Sequence, residues 1–161
     1  FLKKNTFLLD LGASPGGWSQ VASKIITSGK ILSIDIKKME PIQNVKFVNS
    51  DIFNQKTKEI IQTFFGKELD VVISDMAADT TGNKSLDCIR TNQLCAEVIN
   101  LSRKILKKNG VIVSKLFMGE DFLEVKQKAK SLFKDVFFYK PESSKNESKE
   151  TYLHCKNLKA L

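Results

Sequence analysis

Four aspartates come at or just after the ends of four apolar runs of the sequence, where a carboxylate can bind a ligand. Asp10 ends the run F-L-L-D, Asp35 ends I-L-S-I-D, Asp51 follows V-K-F-V-N-S, and Asp75 follows L-D-V-V-I-S. Ligands of open α/β sheets bind outside the carboxyl ends of the strands. We expect Asp35 to accept both hydroxyls of a ribose, Asp51 to bond the exocyclic amine of an adenine, and Asp10 to hold an ammonium group directly or through water. A cap for the helix that follows is the alternative role for Asp51.

The glycine-rich turn at residues 12–17, G-A-S-P-G-G, indicates the kind of ligand. It lacks G-x-x-x-x-G-K-[ST], which holds a β/γ-phosphate, so kinase and GTPase chemistry is disfavoured. Ser14 stands where a dinucleotide fold has the glycine that lets a pyrophosphate approach, so a dinucleotide is disfavoured too. An adenosine ligand without a phosphate, such as S-adenosylmethionine, suits this turn. The residues that we expect to bind it are Gly12, Gly16, Gly17, Trp18, Asp35, Asp51 and Ile52.

One lysine, Lys115, lies inside the apolar run V-I-V-S-K-L-F. Lysine is seldom buried without a partner. Its side chain therefore either extends to solvent from a strand end, or carries a pKa lowered by burial or by cationic neighbours, as a base in catalysis would need.

Hydrophobic periodicity predicts the elements that would position these residues. We expect strands at residues 7–11, 30–35, 45–48, 69–74 and 111–113, and helices at 18–26, up to about 65, at 86–108 and at 122–133. Two further strands, 136–139 and 151–155, follow without a helix between them and predict an antiparallel hairpin at one edge of the sheet. The expected fold class is α/β, Rossmann-like, with a mostly parallel sheet and helices on both faces, in a single domain over residues 1–161.

Composition bounds the partners of the protein. The chain has 161 residues, 42% of them hydrophobic, and a formal charge of +8, which favours a polyanionic partner such as nucleic acid. No apolar run has the length of a membrane span. The three cysteines, Cys88, Cys95 and Cys155, show no zinc-site or disulfide spacing and are typical of a reducing compartment, whether cytoplasmic, nucleolar or organellar.

Four motifs together resemble the FtsJ/RrmJ-type ribosomal RNA 2′-O-methyltransferases, which have the Rossmann-like methyltransferase fold. They are D-L-G-A-S-P-G-G-W-S-Q at residues 10–20, S-D-M-A at 74–77, S-K-L-F-M-G-E at 114–120 and K-P-E-S-S-K-N-E-S-K-E at 140–150. The chain departs from the family pattern at Ser14, where alanine is usual, and at Ala78-Asp79, where Pro-Asn is common.

The resemblance implies site residues and their roles. That family uses a Lys-Asp-Lys-Glu tetrad, in which Asp75 matches the aspartate, Lys115 the second lysine and Glu150 the glutamate. We expect the first lysine in a segment before residue 1. Lys115 would accept the proton of the attacking hydroxyl, Asp75 would position it and contact the methionine end of the cofactor, and Glu150 would support the nucleotide or the missing lysine.

The implied reaction moves a methyl group from S-adenosylmethionine to a ribose 2′-hydroxyl of RNA, most simply a uridine of large-subunit ribosomal RNA. A transfer RNA or messenger-cap enzyme is an alternative, and so are a non-catalytic RNA-binding domain and a dinucleotide-dependent oxidoreductase. No metal is expected. Phe117 or Tyr139 could stack on bases, and candidate contacts to the RNA backbone are Lys37, Lys38, Arg103, Lys104, Lys107, Lys108 and the lysines of residues 140–149.

Overall fold

A computed structural model describes residues 1–119, 121–140 and 150–160 and contains one seven-stranded sheet flanked by four helices. The strands are β1 (Phe7–Leu11), β2 (Lys30–Asp35), β3 (Lys46–Asn49), β4 (Leu69–Ser74), β5 (Leu106–Phe117), β6 (Phe133–Tyr139) and β7 (Glu150–Leu158). The helices are α1 (Gly17–Ile25), α2 (Gln55–Phe65), α3 (Lys84–Ile105) and α4 (Phe122–Leu132).

The strand order is β3-β2-β1-β4-β5-β7-β6. The first five strands pair in parallel, and β7 runs antiparallel to both β5 and β6. The expected fold class is therefore confirmed, including the antiparallel pair of strands at one edge. Because β7 inserts between β5 and β6, the last of the described strands is internal and β6 forms the edge.

The two faces of the sheet are covered unequally. The larger core cluster joins one face to α2, α3 and α4 through residues such as Phe65, Val98 and Ala129. The smaller cluster joins the other face to α1 through Ala22, together with Leu8 and other residues of β1, β2 and β4. Helices thus lie on both faces, as predicted, but α1 is the one described helix of its face.

Several sequence-based bounds were wrong. The strand predicted at 111–113 extends over Leu106–Phe117, and the strands predicted at 136–139 and 151–155 extend over Phe133–Tyr139 and Glu150–Leu158. The third predicted helix continued to residue 108, whereas α3 ends at Ile105 and β5 already begins at Leu106, which pairs with Leu69 before a bulge shifts the register to Val71 and Val111. The cap of α2 is Asn54, whose side chain accepts the amide hydrogen of Lys56, so Asp51 is not the helix cap.

None of the described helices is long and apolar enough to cross a membrane. Across the described ranges, no group of three or more His, Cys, Asp or Glu side chains could hold a metal ion. The side chains of Cys88, Cys95 and Cys155 are buried.

Candidate active site

A cavity of about 360 Å³ opens at the carboxyl ends of β1, β2 and β4. Its walls include Gly12, Ile52 and the backbone that follows each of these strands. The charged side chains among its described lining residues are four carboxylates and one lysine: Asp35, Asp51, Asp75, Asp79 and Lys37. The cavity is therefore acidic, although the chain as a whole carries a charge of +8.

Asp35 ties the glycine-rich turn to the end of β2. Its Oδ2 accepts the amide hydrogen of Ser14 at 2.8 Å, and its Oδ1 accepts that of Lys37 at 2.9 Å. Each carboxylate oxygen has more than one lone pair, so both can still accept a ligand hydroxyl. Asp35 thus faces the cavity with its orientation set by two backbone bonds.

Asp51 and Ile52 form another part of the wall. Asp51 Oδ1 accepts the amide hydrogen of Phe53 at 2.9 Å, while the side chain of Ile52 is only 7% exposed and lines the cavity. A carboxylate beside an apolar surface suits a flat heterocycle with an amine at its edge.

The glycines of the turn differ in what they permit. Gly12 has φ +71°, and a Cβ there would lie 2.5 Å from Cγ of Met76, so the turn packs closely against the end of β4. Gly16 has φ +117°, and a Cβ there would crowd the side chains of Ile42 and Met39. Gly12 lines the cavity, whereas Gly16, Gly17 and Trp18 do not. A part for those three in cofactor binding stays a prediction.

Lys115 lies between two carboxylates at the rim of the sheet. Its Nζ is 3.1 Å from Asp75 Oδ1 at the end of β4 and 3.2 Å from Glu150 Oε2 at the start of β7. The side chain of Lys115 is 14% exposed, and those of Asp75 and Glu150 are 39% and 24% exposed. The structure thus brings together the three predicted catalytic residues.

Asp10 lies below this cavity rather than in its wall. It is 1% exposed, and its Oδ2 accepts the hydroxyl of Ser19 at 2.6 Å, which is itself 2.7 Å from the hydroxyl of Ser33. Burial raises the pKa of the Asp10 carboxyl to about 7, and the charges of Asp75 and Asp35 add to this. Because Asp10 is not among the residues that line the cavity, its contact with a ligand ammonium, directly or through water, stays a prediction.

The family model for FtsJ-like methyltransferases matches residues 1–158. The chain belongs to the FtsJ-like methyltransferase family. Among curated proteins, it is 45% identical over 157 residues to the ribosomal RNA large subunit methyltransferase E of Pelagibacter ubique, covering 98% of this chain and 77% of that protein. It is 44% identical to the protein of the same name from Rickettsia akari, covering 96% of this chain and 71% of the relative.

Solved structures agree with the family assignment. A ribosomal RNA methyltransferase from Plasmodium falciparum is 30% identical, with a TM-score of 0.86 over 98% of this chain and 89% of that one. A Streptococcus mutans methyltransferase in complex with SAH is 15% identical, with a TM-score of 0.63 over 98% and 89% of the two chains, and shares the fold. The family and fold inferred from the motifs are confirmed.

In this FtsJ-like methyltransferase, Lys115 has neither of the two environments that its sequence context predicted. Its side chain does not extend to solvent. Burial acts to lower its pKa, but the charges and hydrogen bonds of Asp75 and Glu150 outweigh burial, so the pKa is raised above its ordinary value. The expectation of a lowered pKa was wrong for the described residues, because two carboxylates stabilise the ammonium form.

Tyr152 belongs to the same network and was missed at the level of sequence. Its hydroxyl donates to Asp75 Oδ1 at 2.7 Å, the oxygen that also pairs with Lys115. Burial and the bond to Asp75 raise the pKa of Tyr152, so the phenol stays protonated. The ring packs 5.6 Å from that of Trp18 on α1. Its position two residues after Glu150 on a strand was the available signal, since alternate residues share a face.

Polar residues of α3 hold the loop that follows β4 and the last residue of β5, and they were also missed. The fully buried Asn92 donates to the carbonyl of Phe117 at 3.0 Å and accepts its amide hydrogen at 2.8 Å. Thr91 accepts the amide hydrogen of Ala78 at 3.1 Å. Neighbouring residues of one helix thus hold the chain after Lys115 and after Asp75.

Proposed function

We propose that this protein transfers a methyl group from S-adenosylmethionine to a ribose 2′-hydroxyl of RNA, and that its substrate is a uridine of large-subunit ribosomal RNA. Membership of a methyltransferase family supports the reaction class and the donor. The names of the two curated relatives support the RNA species. The observation that carries the proposal is the pairing of Lys115 with Asp75 and Glu150 beside the acidic cavity.

The residues of the cavity suit this cofactor. S-adenosylmethionine carries a positively charged sulfonium, and a wall with four carboxylates and one lysine attracts a cation but repels the pyrophosphate of a dinucleotide. We assign Asp35 to the ribose hydroxyls, Asp51 to the adenine amine and Ile52 to the adenine ring. Gly12 gives close approach of the backbone, and Asp75 contacts the methionine end.

The residues at the rim supply orientation and proton transfer. The cofactor supplies an already activated methyl group, so the carbon–sulfur bond breaks as the carbon–oxygen bond forms, and the hydroxyl must mainly be aimed and deprotonated. Lys115 holds the attacking oxygen and receives its proton, while Asp75 and Glu150 fix the direction of the amine. A cation bound beside Asp75 offsets part of the carboxylate charge that now keeps Lys115 protonated, which makes the neutral amine more accessible.

The decisive experiment combines cofactor binding with product mapping. Calorimetry with S-adenosylhomocysteine and with NAD should detect binding of the former alone, since the acidic cavity disfavours pyrophosphate. Transfer of labelled methyl groups should occur on ribosomal particles or large-subunit RNA, and mapping should place the product on a ribose 2′-oxygen. Methylated product on transfer RNA or on a messenger cap would contradict the assignment of ribosomal RNA as the substrate. Binding of S-adenosylhomocysteine without transfer to any RNA would contradict the reaction.

The pH dependence of transfer tests the role of Lys115. Because the pKa of Lys115 is raised, the neutral amine is scarce at neutral pH, and the single-turnover rate should rise with pH through the alkaline range. Folding and cofactor affinity are measured at each pH. A flat profile would mean that Lys115 positions the hydroxyl without accepting its proton.

A further inference from the structure

The face of the sheet that α1 packs against is open along β6, whereas on β7 the ring of Tyr152 lies 5.6 Å from that of Trp18 and the ring of His154 lies 5.7 Å from that of Phe1. Phe137 and Tyr139 of β6 point to this side and are 57% and 62% exposed. Their cross-strand partners on β7 are His154 and Tyr152, which share the face. Large exposed aromatic side chains that neighbour each other on one face of a strand are unusual on a protein surface and indicate an interaction site.

This surface is continuous with the catalytic lysine. In the register of the sheet, Lys115 of β5 lies opposite Tyr152 of β7, and Tyr152 lies opposite Tyr139 of β6. Two strand spacings of about 4.8 Å place Tyr139 roughly 10 Å from Lys115 across the sheet. A nucleotide whose ribose reaches Lys115 therefore has Tyr139 within the span of one or two neighbouring nucleotides.

Further along the same face, aromatic side chains give way to positive charge. Phe137 lies 6.3 Å from His154, ring to ring, and the next residue of that face on β7 is Lys156, which is exposed. Asp135 is the cross-strand partner of Lys156 but accepts from Asn157 at 2.6 Å, and in the described chain no carboxylate lies within salt-bridge distance of the lysine.

Lys156 also lines a cavity of about 710 Å³ at the amino ends of the strands. Lys3, Lys67 and Lys107 line the same cavity, and the carboxylate among its described lining residues is that of Asp70. Both oxygens of Asp70 are engaged, one by Lys107 at 2.8 Å and the other by the amide hydrogen of Phe7 at 2.7 Å. The cavity is thus positively charged, in contrast to the acidic cofactor cavity.

We propose that the RNA strand next to the methylated nucleotide lies on this open face, defined here by Tyr139, Phe137 and Lys156. This inference rests on the proposed function. Unpaired bases stack on exposed aromatic rings, and lysines attract the phosphates, the combination by which single-stranded RNA is bound without sequence readout. The row from Lys115 through Tyr139 and Phe137 to Lys156 presents both in the order in which a strand leaving the active site would meet them.

The test compares two matched double variants. Phe137→Ser with Lys156→Gln removes one exposed ring and one exposed lysine from the open face. Leu123→Ser with Lys130→Gln removes an exposed apolar side chain and a lysine from α4, which packs on the opposite face. Affinity for a short fluorescein-labelled single-stranded RNA of mixed sequence is measured by anisotropy over a series of salt concentrations, and S-adenosylhomocysteine affinity by calorimetry.

We expect the open-face variant to bind this RNA about 5- to 100-fold more weakly, the loss typical of one stacked base. The slope of log affinity against log salt should fall by about 0.7 for the lost phosphate contact. The control variant should bind RNA like the wild type, and both should retain S-adenosylhomocysteine affinity. Tyr139→Phe should preserve RNA binding, whereas Tyr139→Ser should weaken it.

Equal RNA affinity of the two double variants would overturn the proposal. An equal loss of RNA affinity in both variants would also overturn it, since that result would indicate diffuse electrostatic attraction. A third contrary result would be a wild-type dimer that dissociates in the open-face variant without any loss of RNA affinity, which would mean that a second copy of the chain covers the face. Lys115→Met separates this inference from the proposed reaction. If this variant loses methyl transfer but keeps its RNA affinity, the RNA-docking inference and the proposed reaction can be tested separately.

Discussion

At the scale of single residues, one strand carries two lysine–aspartate pairs with different surroundings. Lys107 pairs with Asp70 at 2.8 Å at the amino end of the sheet, and Lys115 pairs with Asp75 at 3.1 Å at the carboxyl end. Among the described residues, the second of these lysines alone meets a further carboxylate, that of Glu150, and its side chain is the less exposed, at 14% against 38%. The same residue types thus form an exposed ion pair at one end of the strand and a more buried three-residue cluster beside the ligand cavity at the other.

This contrast supplies a matched test of catalysis. Lys115→Met should reduce methyl transfer at least about 100-fold, the effect of losing a positioned proton acceptor, with cofactor affinity within a few-fold of wild type. Lys107→Met removes the equivalent ion pair of the same strand and should leave the transfer rate close to normal. Single-turnover rates and calorimetry decide the matter. Near-normal transfer by Lys115→Met would contradict its assignment.

Asp10 allows a stability prediction with a defined pH range. Its pKa in the folded protein is about 7, raised from 3.8, so folding favours the protonated form. This contribution to stability is complete below about pH 4 and is lost as pH rises through about 7. Asp10→Asn keeps an acceptor for Ser19 and has no charge to bury. The difference in unfolding free energy between Asp10→Asn and the wild type should therefore shift in favour of the variant by about 2 to 4 kcal/mol when the pH is raised from about 4 to about 8.

Urea unfolding at both pH values measures this gain, with Glu59→Gln as a control for loss of an exposed carboxyl on α2. The control should show little change between the two pH values. If Asp10→Asn gained nothing at the higher pH, Asp10 would be ionised in the native protein at neutral pH.

At the scale of elements, the sequence predicted those features that depend on nearby residues and missed those that depend on contacts between distant segments. β2 and β4 have the predicted bounds, because each is an apolar run that stops at a polar or acidic residue. The end of α3 was misjudged because Leu106 already pairs with Leu69 of β4, a contact between distant segments that helical periodicity does not record. The insertion of β7 between β5 and β6 depends on pairing between distant segments, which periodicity does not record.

The same distinction holds for the site. Gly12, Asp35, Asp51 and Ile52 were found because strand ends and turns are local patterns, and the structure places all four in the cavity wall. Lys115, Asp75 and Glu150 come from three strands, and the family resemblance, rather than spacing, brought them together. Tyr152 and Asn92 act through cross-strand register and helix packing, for which a single sequence offers little signal.

The clamp between α3 and the end of β5 gives an element-level prediction. Asn92→Leu leaves the partly buried amide and carbonyl of Phe117 without the partners that Asn92 supplies, which should cost about 1 to 3 kcal/mol of unfolding free energy. Because Phe117 lies two residues after Lys115, transfer should fall more than cofactor affinity. Ser102→Ala is the control on the same helix, since its buried hydroxyl has no hydrogen-bond partner in the described part of the chain.

That control should be as stable as wild type or slightly more so. Urea unfolding and single-turnover transfer, measured above the concentration at which cofactor saturates, separate loss of stability from loss of alignment. Asn92→Asp keeps an acceptor for the Phe117 amide but loses the donor to the Phe117 carbonyl. If this variant has wild-type stability but a reduced transfer rate, the hydrogen bond to the carbonyl is needed to align Lys115. Full activity of Asn92→Leu would show that β5 holds Lys115 without the clamp.

At the scale of the whole molecule, charge is segregated between two ligand surfaces. The chain carries +8, yet the described lining of the cofactor cavity has four carboxylates and one lysine. The open face and the cavity at the amino ends of the strands carry Lys3, Lys67 and Lys156, and in the described part of the chain none of these three lies within salt-bridge distance of a carboxylate. A cationic cofactor and a polyanionic substrate are thus attracted to different parts of one small protein, so neither binding site weakens the other by competition for the same charges.

Salt should therefore separate the two binding events. A protein–RNA complex releases a fixed number of counterions as it forms, and their release is less favourable at higher bulk salt. Raising monovalent salt from about 50 mM to 200 mM should therefore lower RNA affinity at least about 10-fold. S-adenosylhomocysteine has no net charge, so its affinity should change less than about twofold. S-adenosylmethionine carries one additional positive charge, so the change in its affinity should lie between those of S-adenosylhomocysteine and RNA. Calorimetry for the cofactors and anisotropy for RNA, in the same buffers, measure all three. Equal salt dependence of S-adenosylmethionine and S-adenosylhomocysteine would mean that the carboxylates of the cavity do not sense the sulfonium, and would count against the assignment of Asp75 to the methionine end.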